Sequence, residues 1–517
     1  MTARFANVAL PAALAALSGC GDATSMSDPS AFIGAEVGFF ELEAVEYSIG
    51  EPREAFVAAP ARLFYVFAPA DEPTRDTPLC LLFNGGPGVG SELVLEGLGP
   101  RLPGAGAGPN PASLTRLCHA LFVDARNTGL SYVVADETAP HDFGWSNYNA
   151  FIDGADYLRV LLRFIDARPE LRDAPVIVVG ESFGGVRATA LLNLLLYAEA
   201  YAAGARPYAD PALDLELRAY SSDWLGPLTP SALGVRFGHQ VLIQPSIASG
   251  LQDSITGSLM AEPDSIVSEL GRERGQEFSP CPADQASCDP YLRMVQFMSR
   301  IDVSPYDYRA PWSWLSNLLA AHTARVADIA KFESLIGARL TSVFGLASEG
   351  RGAALRLPSA GTEAADATTW VELLGGLAET DRYFVMFNTA VYDAFFASSA
   401  AEHHVDFRSE LLGELFLQNL THTETFITRA SYDLVNYSPA LIEALGALTG
   451  VGSATLDVSR PSVERPGEIV IEYESGRMSS RIRAPEYAAS HTVSDSEGGA
   501  LAADVIEWWG RLSRPAE

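Results

Sequence analysis

The sequence predicts an α/β protein built on a mostly parallel sheet, with flanking helices and a large, mainly helical insertion. Three observations lead to this fold class. Apolar runs and helix-forming segments alternate through residues 118–198, as a parallel sheet with crossover helices requires. A Gly-x-Ser-x-Gly turn around Ser182 joins a strand to a helix. The strand pattern is then replaced over residues 250–405 by a helical, aromatic segment, and it resumes afterwards.

Length and composition limit what the chain can do. Its 517 residues are 48% hydrophobic and 19% charged, which is ample material for a buried core. The formal net charge of −30 argues against binding nucleic acid or an anionic membrane surface by charge. We divide the chain into an export signal (1–25), the first part of an α/β core (26–249), a helical cap insertion (250–405) and the last part of the core (406–517).

The first 25 residues have the pattern of an export signal. Arg4 precedes an apolar run from Phe5 to Leu17, which is too short for a stable membrane span. Residues 17–20 (LSGC) resemble a bacterial lipobox, in which the signal is cut before a cysteine that is then lipidated; a plain secretory signal is the alternative. We expect an exported, periplasmic or cell-surface lipoprotein that contacts the membrane only through a lipid on Cys20.

Export implies an oxidising compartment for the other four cysteines. Cys281 and Cys288 lie in one Pro- and Asp-rich loop, which a disulfide between them would close. Cys80 and Cys118 each lie on a predicted buried strand, where they either pair or remain inert thiols. No cysteine–histidine spacing indicates a zinc site, and we expect no metal.

Three strands and a helix are predicted before the Ser182 turn. The apolar runs at 61–70, 78–86 and 118–125 are broken by Gly, Pro and Asp, which is typical of short strands. Residues 149–171 predict an amphipathic helix, because apolar side chains recur at spacings of three and four until Pro169.

The Ser182 turn itself is predicted to be a nucleophile elbow. Residues 176–179 form a short apolar strand, and residues 186–198 are rich in helix formers. On such a strained turn, only glycine is expected to avoid a Cβ clash at positions 180 and 184, which are Gly180 and Gly184. An ordinary glycine-rich turn is the alternative.

Sheet elements return late in the chain. Residues 204–236 are rich in loop formers, and residues 239–247 predict a strand. Strands are also predicted within 423–435 and 467–475, followed by a terminal helix over 500–512.

A serine nucleophile needs a base, and the base needs an orienting acid. Among the eight histidines, His491 fits best, because it lies on a loop of small and polar residues before the terminal helix. Asp433 is the expected acid, since it follows a strand at the edge where this architecture displays catalytic groups. Asp393, in more helical surroundings, is its rival.

Residues 84–92 (NGGPGVGSE) follow an apolar strand and suggest an oxyanion hole. Consecutive glycines let main-chain N–H groups approach a developing oxyanion without a clash. The Gly86 N–H and the Phe183 N–H are the expected donors; a tight turn without a catalytic role is the alternative.

These motifs resemble the serine carboxypeptidase family, and the chain looks like a divergent, bacterial-type member. The resemblance covers roughly residues 40–200 and 415–512, and the cap diverges. It runs in order through LFYVF (63–67), LLFNGGPG (81–88), FVDARNTGLSY (122–132), GESFGG (180–185), SYDL (431–434) and ASHTV (489–493).

The resemblance implies an α/β-hydrolase fold and a triad of Ser182, Asp433 and His491, with the oxyanion hole formed by Gly86 and Phe183. It further implies that the free C-terminal carboxylate of a peptide substrate is bound by Asn84, Gly85 and Glu181. No cofactor is implied.

This chain departs from the family pattern without losing a triad member. Phe183 stands where the family usually has Tyr, and residues 89–90 (VG) replace a Cys-Ser pair. The usual Gly-His-Met-Val-Pro setting of the histidine is altered at three positions, which are Ser490, Thr492 and Ser494.

The sequence thus predicts an exported serine carboxypeptidase that releases C-terminal residues from peptides through an acyl-enzyme. Acidic pH should favour it, because Glu181 would share a proton with the substrate's carboxylate. An esterase or acyltransferase could use the same triad, since the fold does not fix the acyl acceptor. A catalytically inactive surface binding protein is the non-enzymatic alternative.

Overall fold

The computed structural model describes most of the predicted core and part of the predicted cap. The described residues are 36–49, 54–100, 109–134, 144–204, 228–260, 262, 265–282, 288, 293–294, 297, 300–301, 389–403, 405–430, 433, 435–448, 454–461, 469–475, 478–489, 491 and 493–513. The expected export signal with Cys20, and residues 302–388 of the expected cap, lie outside them.

The observed strands include a counterpart of each predicted strand and several that the sequence did not predict. In chain order they are β1 Glu36–Leu42, β2 Val45–Ile49, β3 Glu54–Ala58, β4 Ala61–Ala68, β5 Leu79–Phe83, β6 His119–Val123, β7 Tyr132–Val133, β8 Pro175–Glu181, β9 Arg236–Ile243, β10 Glu424–Ile427, β11 Arg429–Ala430, β12 Ala454–Pro461, β13 Ile469–Ser475, β14 Met478–Ala484 and β15 Glu486–Tyr487.

The described helices lie mostly between these strands. They are α1 Glu92–Leu98, α2 Ala150–Asp166, α3 Gly184–Ala202, α4 Ser249–Met260, α5 Ile266–Glu273, α6 Thr389–Phe395, α7 Ser398–Glu402, α8 Glu410–Leu420, α9 Ser438–Ala447, α10 Val493–Ser496 and α11 Gly498–Leu512. None of them combines the length and the apolar character needed to cross a bilayer.

The main sheet is mixed, and its centre is parallel. Its strand order is β1-β4-β6-β5-β8-β9-β10-β14-β13-β12, with parallel pairing from β6 through to β14 and antiparallel pairing at both ends. The carboxyl ends of the central strands therefore meet along one edge of the sheet. This is the α/β-hydrolase arrangement that the sequence predicts.

Helices cover both faces of the sheet. Every residue of β5 is buried, as expected for a central parallel strand whose two faces are both covered. Buried residues of α2, α3 and α8 pack on one face. Residues of α1 and α11 pack on the other. The sheet edge that carries the candidate site is thus held between two helical layers.

Helix α2 differs from the expected amphipathic helix because its polar face is also buried. Asp153 and Asp156 are 7% and 2% exposed. Residues of the β2–β3 hairpin pack in the same core as α2, and they cover the side that solvent would otherwise contact. Asp156 is consequently paired with the buried Arg126, as buried charges require.

A second buried pair joins α2 to α3. Arg187 donates from Nε to Asp153 Oδ2 at 2.7 Å, and Arg187 is 1% exposed. Burial raises the pKa of Asp153, against the pull of the guanidinium. Each charge therefore depends on the other for its place in the core.

Both cysteine pairs form disulfides in the structure. Cys281 is joined to Cys288 within one short loop. Cys80, on β5, is joined to Cys118, which immediately precedes β6. Of the two states that the sequence leaves open for Cys80 and Cys118, the structure has the paired one.

We expect Arg187→Met to lower the free energy of unfolding by about 3–5 kcal/mol, because it leaves the Asp153 charge buried and uncompensated. Replacing both partners, as Arg187→Met with Asp153→Leu, should cost less, since no lone charge remains. Urea denaturation of the two variants and the wild type measures the difference. A larger loss in the double variant than in the single one would contradict this account.

His239 lies on β9, and the centroid of its ring is 4.7 Å from that of the Trp509 ring. Among the described residues its Nδ1 has no hydrogen-bond partner, and burial lowers its pKa to about 4. The unfolded chain, with an ordinary histidine pKa of about 6.5, binds the proton more readily. The stability that neutral His239 contributes is therefore complete above about pH 6.5 and is lost as the pH falls towards about 4.

His239→Phe should consequently reduce the loss of stability over this pH window. Thermal unfolding at pH 4 and pH 7 compares the variant with the wild type, so that carboxylates titrating in both proteins cancel. An equal loss in the two proteins would show that His239 does not contribute.

Candidate active site

Ser182 lies on the turn between β8 and α3 in a backbone conformation that non-glycine residues rarely adopt. Its φ is 61°. Two main-chain hydrogen bonds join the turn to the end of β9 and the loop after it: Ser182 N donates to Ile243 O at 2.8 Å, and Ser246 N donates to Ser182 O at 2.9 Å. The loop after β9 therefore fixes a conformation that would be unfavourable in isolation.

Close main-chain approaches explain two of the glycines at this turn. A Cβ placed on Gly180 would lie 2.4 Å from Gly184 O, and one on Gly185 would lie 2.5 Å from Ser246 O. A Cβ on Gly184 would lie 3.3 Å from its nearest neighbour, Phe83 O. Gly180 and Gly184 are both tight, as expected, and Gly185 is tighter than Gly184, because the loop after β9 passes over it.

Asp433 and His491 are in contact. His491 Nδ1 lies 2.7 Å from Asp433 Oδ2, and because the partner is a carboxylate, Nδ1 is the donor. His491 is 2% exposed and Asp433 is 0% exposed. An imidazole held in this way has its tautomer and its ring orientation fixed by the acid.

Asp433 is itself held by its surroundings. Its Oδ1 accepts from Val435 N at 2.8 Å and from Asn436 N at 3.0 Å. Asn436 Nδ2 donates to Gln244 O at 2.6 Å, and Ser246 Oγ donates to Asn436 Oδ1 at 3.1 Å. The acid loop is thus bonded to the same loop after β9 that fixes Ser182.

The glycine turn after β5 lies directly beside the Ser182 turn. A Cβ on Gly85 would lie 2.4 Å from Phe183 N, so only glycine allows this approach. Gly86 has a φ of 111°, which also favours glycine, and its peptide bond to Pro87 is cis. The two segments that carry the expected oxyanion donors, Gly86 and Phe183, therefore lie side by side.

Asn84 and Glu181 are in contact beneath these turns. Asn84 Nδ2 donates to Glu181 Oε2 at 3.0 Å, while Asn84 Oδ1 accepts from Val94 N at 2.9 Å. Ser494 Oγ donates to the Glu181 carboxylate, at 2.9 Å from Oε1 and 2.8 Å from Oε2. Glu181 is 1% exposed, so these donors replace the water that a surface carboxylate would have.

The site opens to solvent at the turns and is closed behind them. Ser182 and Gly86 are half-buried, whereas Glu181 and His491 are buried. A reagent therefore reaches the serine hydroxyl and the glycine turn first. The acid and the ring of the base lie in a low-dielectric interior, where electrostatic interactions are stronger.

Apolar rings cover the Phe183 side of the site. The Phe183 ring centroid lies 5.2 Å from that of Phe395, at the end of α6, and 5.2 Å from that of Phe407. Phe183 itself is 2% exposed. The Phe183 ring thus packs in a largely aromatic environment, where the family usually has Tyr.

Two contributors to the site are missing from the sequence-based candidates. Arg187 donates from Nη1 to Asn84 O, so a buried cation supports the glycine turn from below. Its signal in the sequence is a charged residue within an otherwise apolar helix. The other contributor is Ser494, which contacts Glu181; its signal is that it occupies a position where the family has proline.

The remaining candidates fall elsewhere. Asp393 belongs to helix α6 rather than to a strand end, and its side chain is outside the described set. Ser490 and Thr492, which flank His491, also lie outside the described residues, as does Cys20.

Comparison with known proteins identifies one family. Residues 56–204 match the family model described as serine carboxypeptidase. Serine carboxypeptidase-like 41 of Arabidopsis thaliana is 33% identical over 172 residues, which are 29% of this chain and 34% of that protein. Serine carboxypeptidase-like 44 of the same plant is 29% identical over 183 residues, or 31% of this chain and 35% of that protein.

The matched region thus spans about a third of the length of these curated relatives. The relatives are plant proteins, and nothing in the comparisons supports the expectation of a bacterial-type member. Among solved structures, the Saccharomyces cerevisiae prohormone-processing carboxypeptidase Kex1(delta)p aligns over 93% of this chain and 92% of its own, with 12% identity and a TM-score of 0.48.

The family match includes both the glycine turn after β5 and the Ser182 turn, which are the segments that the structure brings together. Over residues 56–204 the chain is thus similar to the serine carboxypeptidase family of α/β hydrolases.

Proposed function

We propose that this protein is a serine carboxypeptidase that releases C-terminal residues from peptides through an acyl-enzyme intermediate. The observation that carries the proposal is the Asn84–Glu181 hydrogen bond, because it lies directly beside the strained Ser182 turn. A carboxyl group one residue from the nucleophile has a use when the substrate ends in a carboxylate. It has little use for a neutral ester.

In the proposed reaction, Ser182 Oγ attacks the carbonyl carbon of the last peptide bond while His491 Nε2 accepts the hydroxyl proton. The Asp433–His491 bond supports this role for the histidine, since it leaves Nε2 as the basic nitrogen and stabilises the imidazolium that forms. His491 then gives the proton to the leaving amine. Water, deprotonated by His491, releases the shortened peptide from Ser182.

We assign the stabilisation of the developing negative charge to two main-chain donors, the Gly86 N–H and the Phe183 N–H. The close approach of Gly85 to Phe183 N supports this assignment, because it aligns the two turns at main-chain distance. We assign the binding of the substrate's terminal carboxylate to Asn84, Gly85 and Glu181. No step requires a metal or a cofactor.

Two peptides that differ only in a free or an amidated C-terminus test the proposal. We expect the wild type to release the last residue of the free peptide, with much slower release from the amidated one. Ser182→Ala should lower kcat by about 10⁴-fold or more, since the nucleophile is lost. Mass spectrometry of the products measures both effects.

A fluorophosphonate probe supplies the control, because it reacts with an activated serine whatever the natural substrate. Labelling of the wild type together with equal hydrolysis of both peptides, or of simple esters alone, would indicate an esterase or acyltransferase. No labelling of Ser182 would indicate an inactive binding protein.

The peptide KM should also depend on pH. Two carboxylates in contact cannot both be ionised without a cost, so Glu181 and the substrate should share a proton that is lost as the pH rises. We expect KM to rise between about pH 4.5 and 7.5, a range that lies above the ordinary glutamate pKa of about 4.3.

Glu181→Gln supplies the comparison, because glutamine keeps the shape but cannot titrate. Its KM should be nearly constant over the same range, and an ester that lacks a free carboxylate should show no such rise with either enzyme. A wild-type peptide KM independent of pH would contradict proton sharing.

A further inference from the structure

Glu181 links the candidate carboxylate site to the segment that carries His491. The Ser494 hydroxyl donates to the glutamate, and Ser494 N also donates to Oε1 at 3.3 Å. Both residues are buried, at 1% and 0% exposure. Ser494 lies three residues after His491, at the second position of the short helix α10.

Two side-chain contacts fasten this segment to the rest of the site. His491 is bonded to Asp433, and Ser494 is bonded to Glu181 on the β8 strand that leads into Ser182. Packing adds to them: Val493 is fully buried, and a Cβ on Gly498 would lie 2.9 Å from Gly97 O, so the segment rests against the end of α1. The position of His491 relative to Ser182 therefore depends on what holds Ser494.

The donors around Glu181 favour its charged form. The Asn84 amide is oriented by Val94 N, so its nitrogen faces Glu181, and the Ser494 main-chain N–H can only donate. Hydrogen bonds to a carboxylate stabilise the anion. The same bonds that hold the histidine segment thus also influence the proton that Glu181 would share with a substrate.

This link is specific to this chain within the family pattern quoted above. Proline, the usual residue at the position of Ser494, has neither a hydroxyl nor an N–H and could make neither bond. Ser494 therefore adds a connection between the glutamate and the histidine segment rather than keeping an existing one.

We propose that Ser494 is a positioning residue that joins the two halves of the site. Through Glu181 it fixes the His491 segment against the Ser182 turn, and its hydroxyl and N–H favour the charged form of the Glu181 carboxyl. The proposal rests on the triad and on the carboxylate site assigned above.

Ser494→Ala tests both roles, with Ser494→Thr as the conservative variant. We expect the alanine variant to lower kcat for an ester by between about tenfold and a hundredfold, because a small displacement of the base is costly. The rise in peptide KM should also move to higher pH, since the hydroxyl donor to the charged glutamate is lost while the main-chain N–H remains. Threonine, which keeps the hydroxyl and the N–H, should restore both properties.

Ser113→Ala is the matched control. Ser113 is also a buried serine, 2% exposed, whose hydroxyl accepts from Thr115 N at 3.1 Å. It precedes β6, at the opposite edge of the sheet from Ser182. We expect this variant to leave kcat and the KM profile unchanged, so that a general loss of stability can be told apart from a loss of positioning.

Hydrogen exchange of peptides covering residues 488–497 provides a readout that needs no substrate. Exchange there should be faster in Ser494→Ala than in the wild type, and normal in Ser494→Thr and Ser113→Ala. An ester kcat within twofold of the wild type, or unchanged exchange in Ser494→Ala, would overturn the proposal. A wild type that cleaves esters but not peptides would instead contradict the proposed function, and ester kcat and exchange would still decide the role of Ser494.

Discussion

The left-handed backbone of Ser182 is the constraint on which the rest of the site depends. A serine with a φ of 61° is held there by main-chain bonds to the loop after β9. The same loop is bonded through Gln244 and Ser246 to Asn436, and so to the segment that carries Asp433. Ser182 and Asp433 therefore share one support, although about 250 residues separate them in the chain.

The main chains around the Ser182 turn are closely packed, and the buried Arg187 and Asp153 nearby form an ion pair. Gly85 and Gly180 are required because main chains pass where a Cβ would be. Arg187 and Asp153 carry opposite charges into the same interior, and Arg187 supports the glycine turn through Asn84 O. A buried charge of this kind is tolerated because its partner and its hydrogen bonds replace water.

Two described residues beside His491 and Ser182 depart from the family pattern. Ser494 donates two hydrogen bonds to Glu181, from its N–H and its hydroxyl, and proline could make neither. Phe183 lacks the hydroxyl of the tyrosine that the family usually has at this position. Both changes leave Ser182, Asp433 and His491 in place. They alter the polarity around the base and the glutamate, which are the groups expected to set how binding depends on pH.

The sequence by itself determined the local elements and the order of the chemistry. Strands and helices were predictable because apolar periodicity and glycine-rich turns are local properties, and the Ser182 turn was predictable because few residue patterns permit it. The resemblance to the family rests on motifs that include residues 81–88 and 180–185, which lie within the matched segment.

Only the tertiary structure decided which side chains meet. Two contacts join residues far apart in the chain, Arg187 with Asp153 and Ser494 with Glu181. The burial of the polar face of α2 likewise depends on segments distant in sequence. Likewise, Gly185 rather than Gly184 proved the tighter position, because the loop from Gln244 to Ser246 passes over it. Such contacts depend on how the strands are ordered across the sheet, and no periodicity within a single segment encodes that order.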